Sequence, residues 1–104
     1  MVLKSTVQVI TANNVTLDGT ADTIFVNRNV AEDVTVNLQN ISDSGTNGTR
    51  YWIKRIDTVA TSVMIVPYGT QLIDGSTSAS LASGQVIEIV ALNGNWILLN
   101  NVSL

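Results

Sequence analysis

Apolar and polar side chains alternate along most of this chain, the period of two that puts successive residues on opposite faces of a strand. The clearest case is Asp33 to Leu38, where Val34, Val36 and Leu38 fall on one face and Thr35 and Asn37 on the other. Thr23 to Asn27 sets Ile24 and Val26 against Phe25. Arg50 to Ile56 sets Tyr51 and Ile53 against Arg50, Trp52, Lys54 and Ile56. Ser62 to Val66 is a further strand, stopped by Pro67, which cannot donate to a ladder. Gly84 to Leu92 and Trp96 to Asn101 flank Asn93-Gly94-Asn95. Asn-Gly between two apolar runs is a strong hairpin signal, because both central residues of the tight turn need positive φ. On the outgoing strand Ile87, Ile89 and Ala91 share one face; Val86, Glu88, Val90 and Leu92 share the other, with Glu88 its one solvent residue. A strand so apolar on both faces is central in its sheet or meets another subunit.

Turn chemistry divides the rest. Asn40 to Thr49 is the longest loop, with Ser42-Asp43-Ser44-Gly45 and Asn47-Gly48 as its turns, and Asp57 to Thr61, Tyr68-Gly69 and Asp74-Gly75 mark others. The pattern predicts an all-β fold, an antiparallel, jelly-roll-like β-sandwich of about nine short strands, with no helical period and no internal repeat at fixed spacing. The inward phase predicts a core of Ile24, Val26, Val34, Val36, Leu38, Ile53, Val63, Ile65, Ile87, Ile89 and Ile97. Residues 1–20 carry few large apolar side chains, although Val7 and Val9 alternate within Thr6 to Ile10. They read as a first hairpin or as an arm used for attachment, ahead of a sandwich domain over residues 21–104.

Composition narrows the chemistry. The 104 residues contain neither Cys nor His. That excludes disulfides, a zinc site, a thiol nucleophile and an imidazole base. Charged residues make up 12% of the chain, with a net charge of −3. Such a chain has no electrostatic footprint for nucleic acid or an anionic membrane. Ser, Thr and Asn carry the polar load, about a third of the residues, which with abundant Val and Ile favours β-structure. No signal peptide and no apolar run of membrane-spanning length is visible. The carboxylates do not form a converging pair: Glu32 and Asp33 are adjacent and diverge on an extended chain, while Asp43, Asp57 and Asp74 fall in turns. Neither catalysis nor a metal or other cofactor is expected, since no nucleophile–base pair and no calcium-loop spacing occurs.

Several segments in order, Thr23-Ile24-Phe25-Val26, Val34-Thr35-Val36-Asn37-Leu38, Arg50-Tyr51-Trp52-Ile53-Lys54-Arg55, Ser62-Val63-Met64-Ile65-Val66-Pro67, Ile73-Asp74-Gly75 and Asn93-Gly94-Asn95-Trp96, make the chain from Asp22 onward similar to a small β-module of bacteriophage virion proteins. That module occurs in capsid-decorating, head-fibre and tail-fibre subunits. The resemblance implies a binding subunit without catalytic residues, usually a homotrimer, located in the virion and assembled in the host cytoplasm. Its partner would be the major capsid protein or another virion protein. Where similar modules carry small polar residues on the outer strand faces, this chain has Phe25, Trp52, Met64 and Val66.

Those residues, with Val90, are the candidate oligomer or partner interface: apolar surface in excess of what a monomer hides. Trp52, between Arg50 and Lys54, is either a platform for a protein partner or a sugar, or an ordinary large residue crossed by Lys stems. Asn93, Gly94 and Trp96 are the structural hairpin, Trp96 anchoring one end of the core. The reading that follows is a capsid decoration or cement subunit. The alternatives are a head- or tail-fibre module touching a host receptor, and a carbohydrate-binding module using Trp52 and Tyr68 on a host surface glycan.

Overall fold

A computed structural model describes residues 6–102. Nine strands form two sheets: β1 (Val7–Ile10), β2 (Asn14–Thr16), β3 (Thr23–Val26), β4 (Asp33–Asn37), β5 (Arg50–Arg55), β6 (Ser62–Val66), β7 (Ala79–Ser80), β8 (Val86–Leu92) and β9 (Asn95–Val102). Sheet A runs β1-β3-β5-β8-β9 and sheet B runs β2-β4-β6-β7. Their inward side chains meet in one core, so the fold is all-β and sandwich-like.

The chain order corrects the antiparallel, jelly-roll-like expectation for the first six strands. They alternate between sheets, and β1–β3, β3–β5, β2–β4 and β4–β6 all pair in parallel. The chain therefore winds as three flattened coils, each giving one strand to each sheet. Antiparallel pairing is confined to β5–β8, β6–β7 and β8–β9, which close the far end of the winding. Side-chain alternation is the same in parallel and antiparallel rungs, so the period settles the faces and leaves the direction open. No fixed repeat shows because the coils differ in length. Partners are 16 residues apart for Val7 and Thr23, 21 for Asn14 and Thr35, and 29 for both Thr23–Trp52 and Asp33–Ser62.

Ten of the eleven expected core residues are buried. Ile97 is the exception, half-buried on the outer face, because Trp96 points inward beside Ala91 and plain alternation then sets Ile97 beside outward Val90. The core also takes Ile10, Leu17, Ile41, Tyr51, Ile73 and Leu81. Ile10 and Leu17 belong to the stretch expected as an arm or hairpin. They do not make a hairpin: over the described residues β1 and β2 do not pair with each other, but form the first rung of sheet A and of sheet B.

A buried ion pair holds the turns at one end. Arg55 Nε lies 3.4 Å from Asp57 Oδ1, and the guanidinium also donates to the carbonyls of Leu81 (3.1 Å) and Ala60 (2.6 Å). Asp57 accepts the backbone N–H groups of Val59, Ala60 and Arg28. At the other end the chain reverses at Asn93 (φ 52°) and Gly94 (φ 82°), the doubly positive turn that suits the twist of a hairpin. Trp96 packs against Tyr51 with ring centroids 5.6 Å apart, and its indole Nε1–H has no hydrogen-bond partner among the described residues. The Tyr51 hydroxyl donates to Gln39 Oε1.

Two predictions test this packing. Leu17→Ala should cost about 2–5 kcal/mol in denaturant unfolding, as a core truncation does; a cost below about 1 kcal/mol would make the first coil peripheral. Burial pushes the Tyr51 phenol up to about 12, from 10.0, with the Asp18 charge adding to the rise. Above pH 10 the unfolded chain releases this proton while the folded chain keeps it. Stability present below that pH should therefore fall by roughly 1.4 kcal/mol per pH unit until Tyr51 itself ionises. In Tyr51→Phe, denaturation curves across this window should lack that slope.

Candidate interaction face

The register of sheet A fixes which side chains share its outer surface. One row reads Val7, Thr23, Trp52, Glu88, Asn100, and the next Val9, Phe25, Lys54, Val86, Val102; Arg50, Val90 and Ile97 make a third. β-branched and aromatic residues occupy most positions because such side chains pack well across a pleated surface. The result is a largely apolar face on which Val7, Val9, Trp52 (39% exposed), Leu99 and Val102 remain open to solvent. β9 carries one extra residue beside the Glu88–Ile89 step, where Ile89 faces Leu98 and Glu88 faces Asn100. That bulge is what leaves Leu99 out of the ladder.

Sheet B presents a different outer surface. Its rows are Asn14, Thr35, Met64, Ser80 and Thr16, Asn37, Val66, with Asp33 beside Ser62. Asn37 Nδ2 donates to Asn14 Oδ1 at 2.7 Å, and Ser62 Oγ donates to Asp33 Oδ1 at 2.9 Å. Polar groups that satisfy each other across strands make this the wet side of the sandwich.

The five candidate interface residues therefore divide. Phe25, Trp52 and Val90 lie on the outer face of sheet A, whereas Met64 and Val66 lie on the opposite layer, half-buried among Thr, Asn and Ser. Alternation separates inside from outside but does not say to which sheet an outside belongs. Trp52 and Tyr68 likewise share no face, since Tyr68 follows β6 of sheet B. Val7, Val9, Leu99 and Val102 join the apolar face without having been picked out. The Val7–Val9 alternation was a legible signal for the first two.

Glu88 is the largest departure. Expected in solvent, it is 5% exposed in the middle of the apolar face. Arg50 Nη1 lies 3.3 Å from Glu88 Oε2, Asn100 Nδ2 donates to Oε1 at 3.1 Å, and Trp52 is its cross-strand partner. A covered carboxylate needs such partners. They satisfy Glu88 and order the centre of the face, while the Arg50 side chain stays about half exposed. Among the described residues no group of three acidic side chains converges to hold a metal ion. What the face offers chemically is non-covalent binding: apolar contact around a fixed polar centre.

The chain matches no known protein family, and no curated protein matches it in sequence.

Arg50→Ala should leave Glu88 with Asn100 as its one polar side-chain partner. We expect a loss of about 1–3 kcal/mol in stability from the under-satisfied carboxylate. The double variant Arg50→Ala/Glu88→Gln should recover part of it, as a thermodynamic cycle will measure.

Proposed function

We propose that this chain is a structural subunit of a bacteriophage virion, a capsid decoration or cement protein that acts by stoichiometric binding as a homotrimer. The observation that carries the reading is the outer face of sheet A, an apolar surface on a chain too thinly charged to keep its copies apart. Self-association through that face hides Phe25, Trp52, Val86, Val90 and Ile97 and adds stability to a chain without disulfides. The number three and the virion setting come from the resemblance of the ordered strand segments to phage modules. In this reading the polar face of sheet B is left outside the trimer, and three copies seated on a symmetric site bridge neighbouring capsid proteins. In this reading the work of the face is occupancy.

Two measurements test the proposal. Purified parent particles should contain the subunit in a copy number divisible by three, located on the shell; a location on a tail would move the assignment to a fibre module. In solution, light scattering should find a trimer. Phe25→Glu should weaken association roughly 100-fold by burying an unpaired carboxylate, while Met64→Glu on the other layer should leave it intact. A stable monomer, or equal effects of both variants with folding preserved by circular dichroism, would overturn the face assignment.

A further inference from the structure

Among the described residues each sheet has two margins, β1 and β9 on sheet A and β2 and β7 on sheet B. At the N-terminal end β1 and β2 are each paired on one side only among those residues. The hydrogen bonds show which backbone groups remain. Thr6 and Ile10 offer their carbonyls to β3 and its flanks, accepting from Asp22, Thr23 and Asn27. Alternation then turns Gln8 toward β3, and the N–H and C=O groups of Val7 and Val9 away from it. On β2 the Asn13 carbonyl accepts from Thr35 and the Leu17 N–H donates to Asn37. Among the described residues the groups without partners there belong to Asn14 and Thr16. Eight backbone donors and acceptors therefore line two parallel edges at the same end of the molecule.

The space between these edges is open as well. A cavity of about 350 Å³ lies there, lined by Thr6, Gln8, Thr16, Asp18 and Thr20 among others. Gln8 shares the inward phase of Ile24, Ile53 and Ile87 yet is only half-buried, as is Val15 of the sheet B rung. Neither edge carries a charge or a proline, the usual guards against strand pairing. Val7 and Val9 are 56% and 51% exposed. Asp18 and Asp22 stand beside the opening, and neither forms an ion pair among the described residues. Asp18 accepts from the Thr20 hydroxyl and N–H, which keeps its carboxyl below the usual range and charged at neutral pH.

The geometry points to a second binding site, independent of the apolar face: the β1 and β2 edges accept an extended segment of another polypeptide, which adds one more rung to the winding. The segment's chemistry follows from the site. Main-chain groups supply the affinity, β-branched residues at alternate positions continue the faces of sheet A, and a Lys or Arg meets Asp18 and Asp22.

The test uses the full chain, isotopically labelled, and a synthetic peptide reproducing residues 4–16, a segment long enough to serve both edges and carrying one Lys. Hydrogen exchange read by NMR should slow at least about tenfold, saturably, at the Val7, Val9, Asn14 and Thr16 amides. Val9→Pro and Thr16→Pro should abolish the slowing while keeping the β3 and β4 ladders, since both lost N–H groups face away from them. A peptide with Glu in place of its Lys should bind several-fold more weakly at low salt. No slowing at about 1 mM peptide, which corresponds to only about 4 kcal/mol of binding, would overturn the proposal. So would slowing that survives both proline variants. Protection already present without peptide would assign the edges to the chain's own N-terminal residues, or to a second copy if it rises with protein concentration, and would overturn it equally.

Discussion

The winding depends on the Arg55–Asp57 pair. Three crossings between the sheets meet around it: β3 to β4 through the Arg28 N–H, β5 to β6 through Val59 and Ala60, and β7 to β8 through Leu81. The Ser83 hydroxyl donates to the Asp57 carbonyl, and the Gly84 N–H to the Arg55 carbonyl. Each crossing leaves backbone groups without ladder partners where the chain turns a buried corner, and these must be satisfied somewhere. A planar guanidinium with five donors and a carboxylate with two acceptor oxygens serve several corners at once. An apolar pair of the same volume would fill the space and leave those carbonyls and N–H groups unmet. In this setting the ion pair fixes how the chain turns more than it adds raw stability.

With the crossings fixed, the two outer faces are free to differ, and they do. Sheet B covers itself with short hydroxyl and amide side chains that bond across strands. Sheet A carries large apolar residues and covers its one carboxylate with Arg50, Asn100 and Trp52. Burying Glu88 on the outside of a sandwich has no use in making the interior. It removes a free charge from the centre of a surface otherwise fit for dry contact, and an ordered polar centre ringed by apolar residues is the anatomy of an interface core.

How much of this was legible in the sequence depends on what each pattern encodes. Ile24, Val34, Ile53 and Ile89 were assigned to the core by alternation alone, and the turn at Asn93-Gly94 was marked by its own chemistry. Alternation carries no information about strand direction, so the parallel coils were hidden. Coil lengths of 16, 21 and 29 residues left no repeat to see. Ile97 shows the cost of a phase off by one: Trp96 takes the inward place, and alternation turns Ile97 outward. A carboxylate usually marks solvent, and the three partners that cover Glu88 lie 12 or more positions away on other strands, beyond the reach of a local pattern. Met64 and Val66 were correctly read as outward-facing, but only the sheet order shows that outward there means the opposite side from Phe25 and Trp52.

Val7 and Val9 connect the face to the edge. Their side chains belong to the outer rows of sheet A, and their backbone groups form its unpaired margin. A strand added there extends the Val9–Phe25–Lys54–Val86–Val102 row by one position, so the apolar face grows when the edge is filled. Any contact that rests on the Val7 and Val9 side chains also holds β1 in the extended form an added strand requires. Sheet B has no such connection: Asn14 and Thr16 offer backbone at its margin but polar side chains on its face. The four residues of β1, Val-Gln-Val-Ile, contain no charge to interrupt either surface.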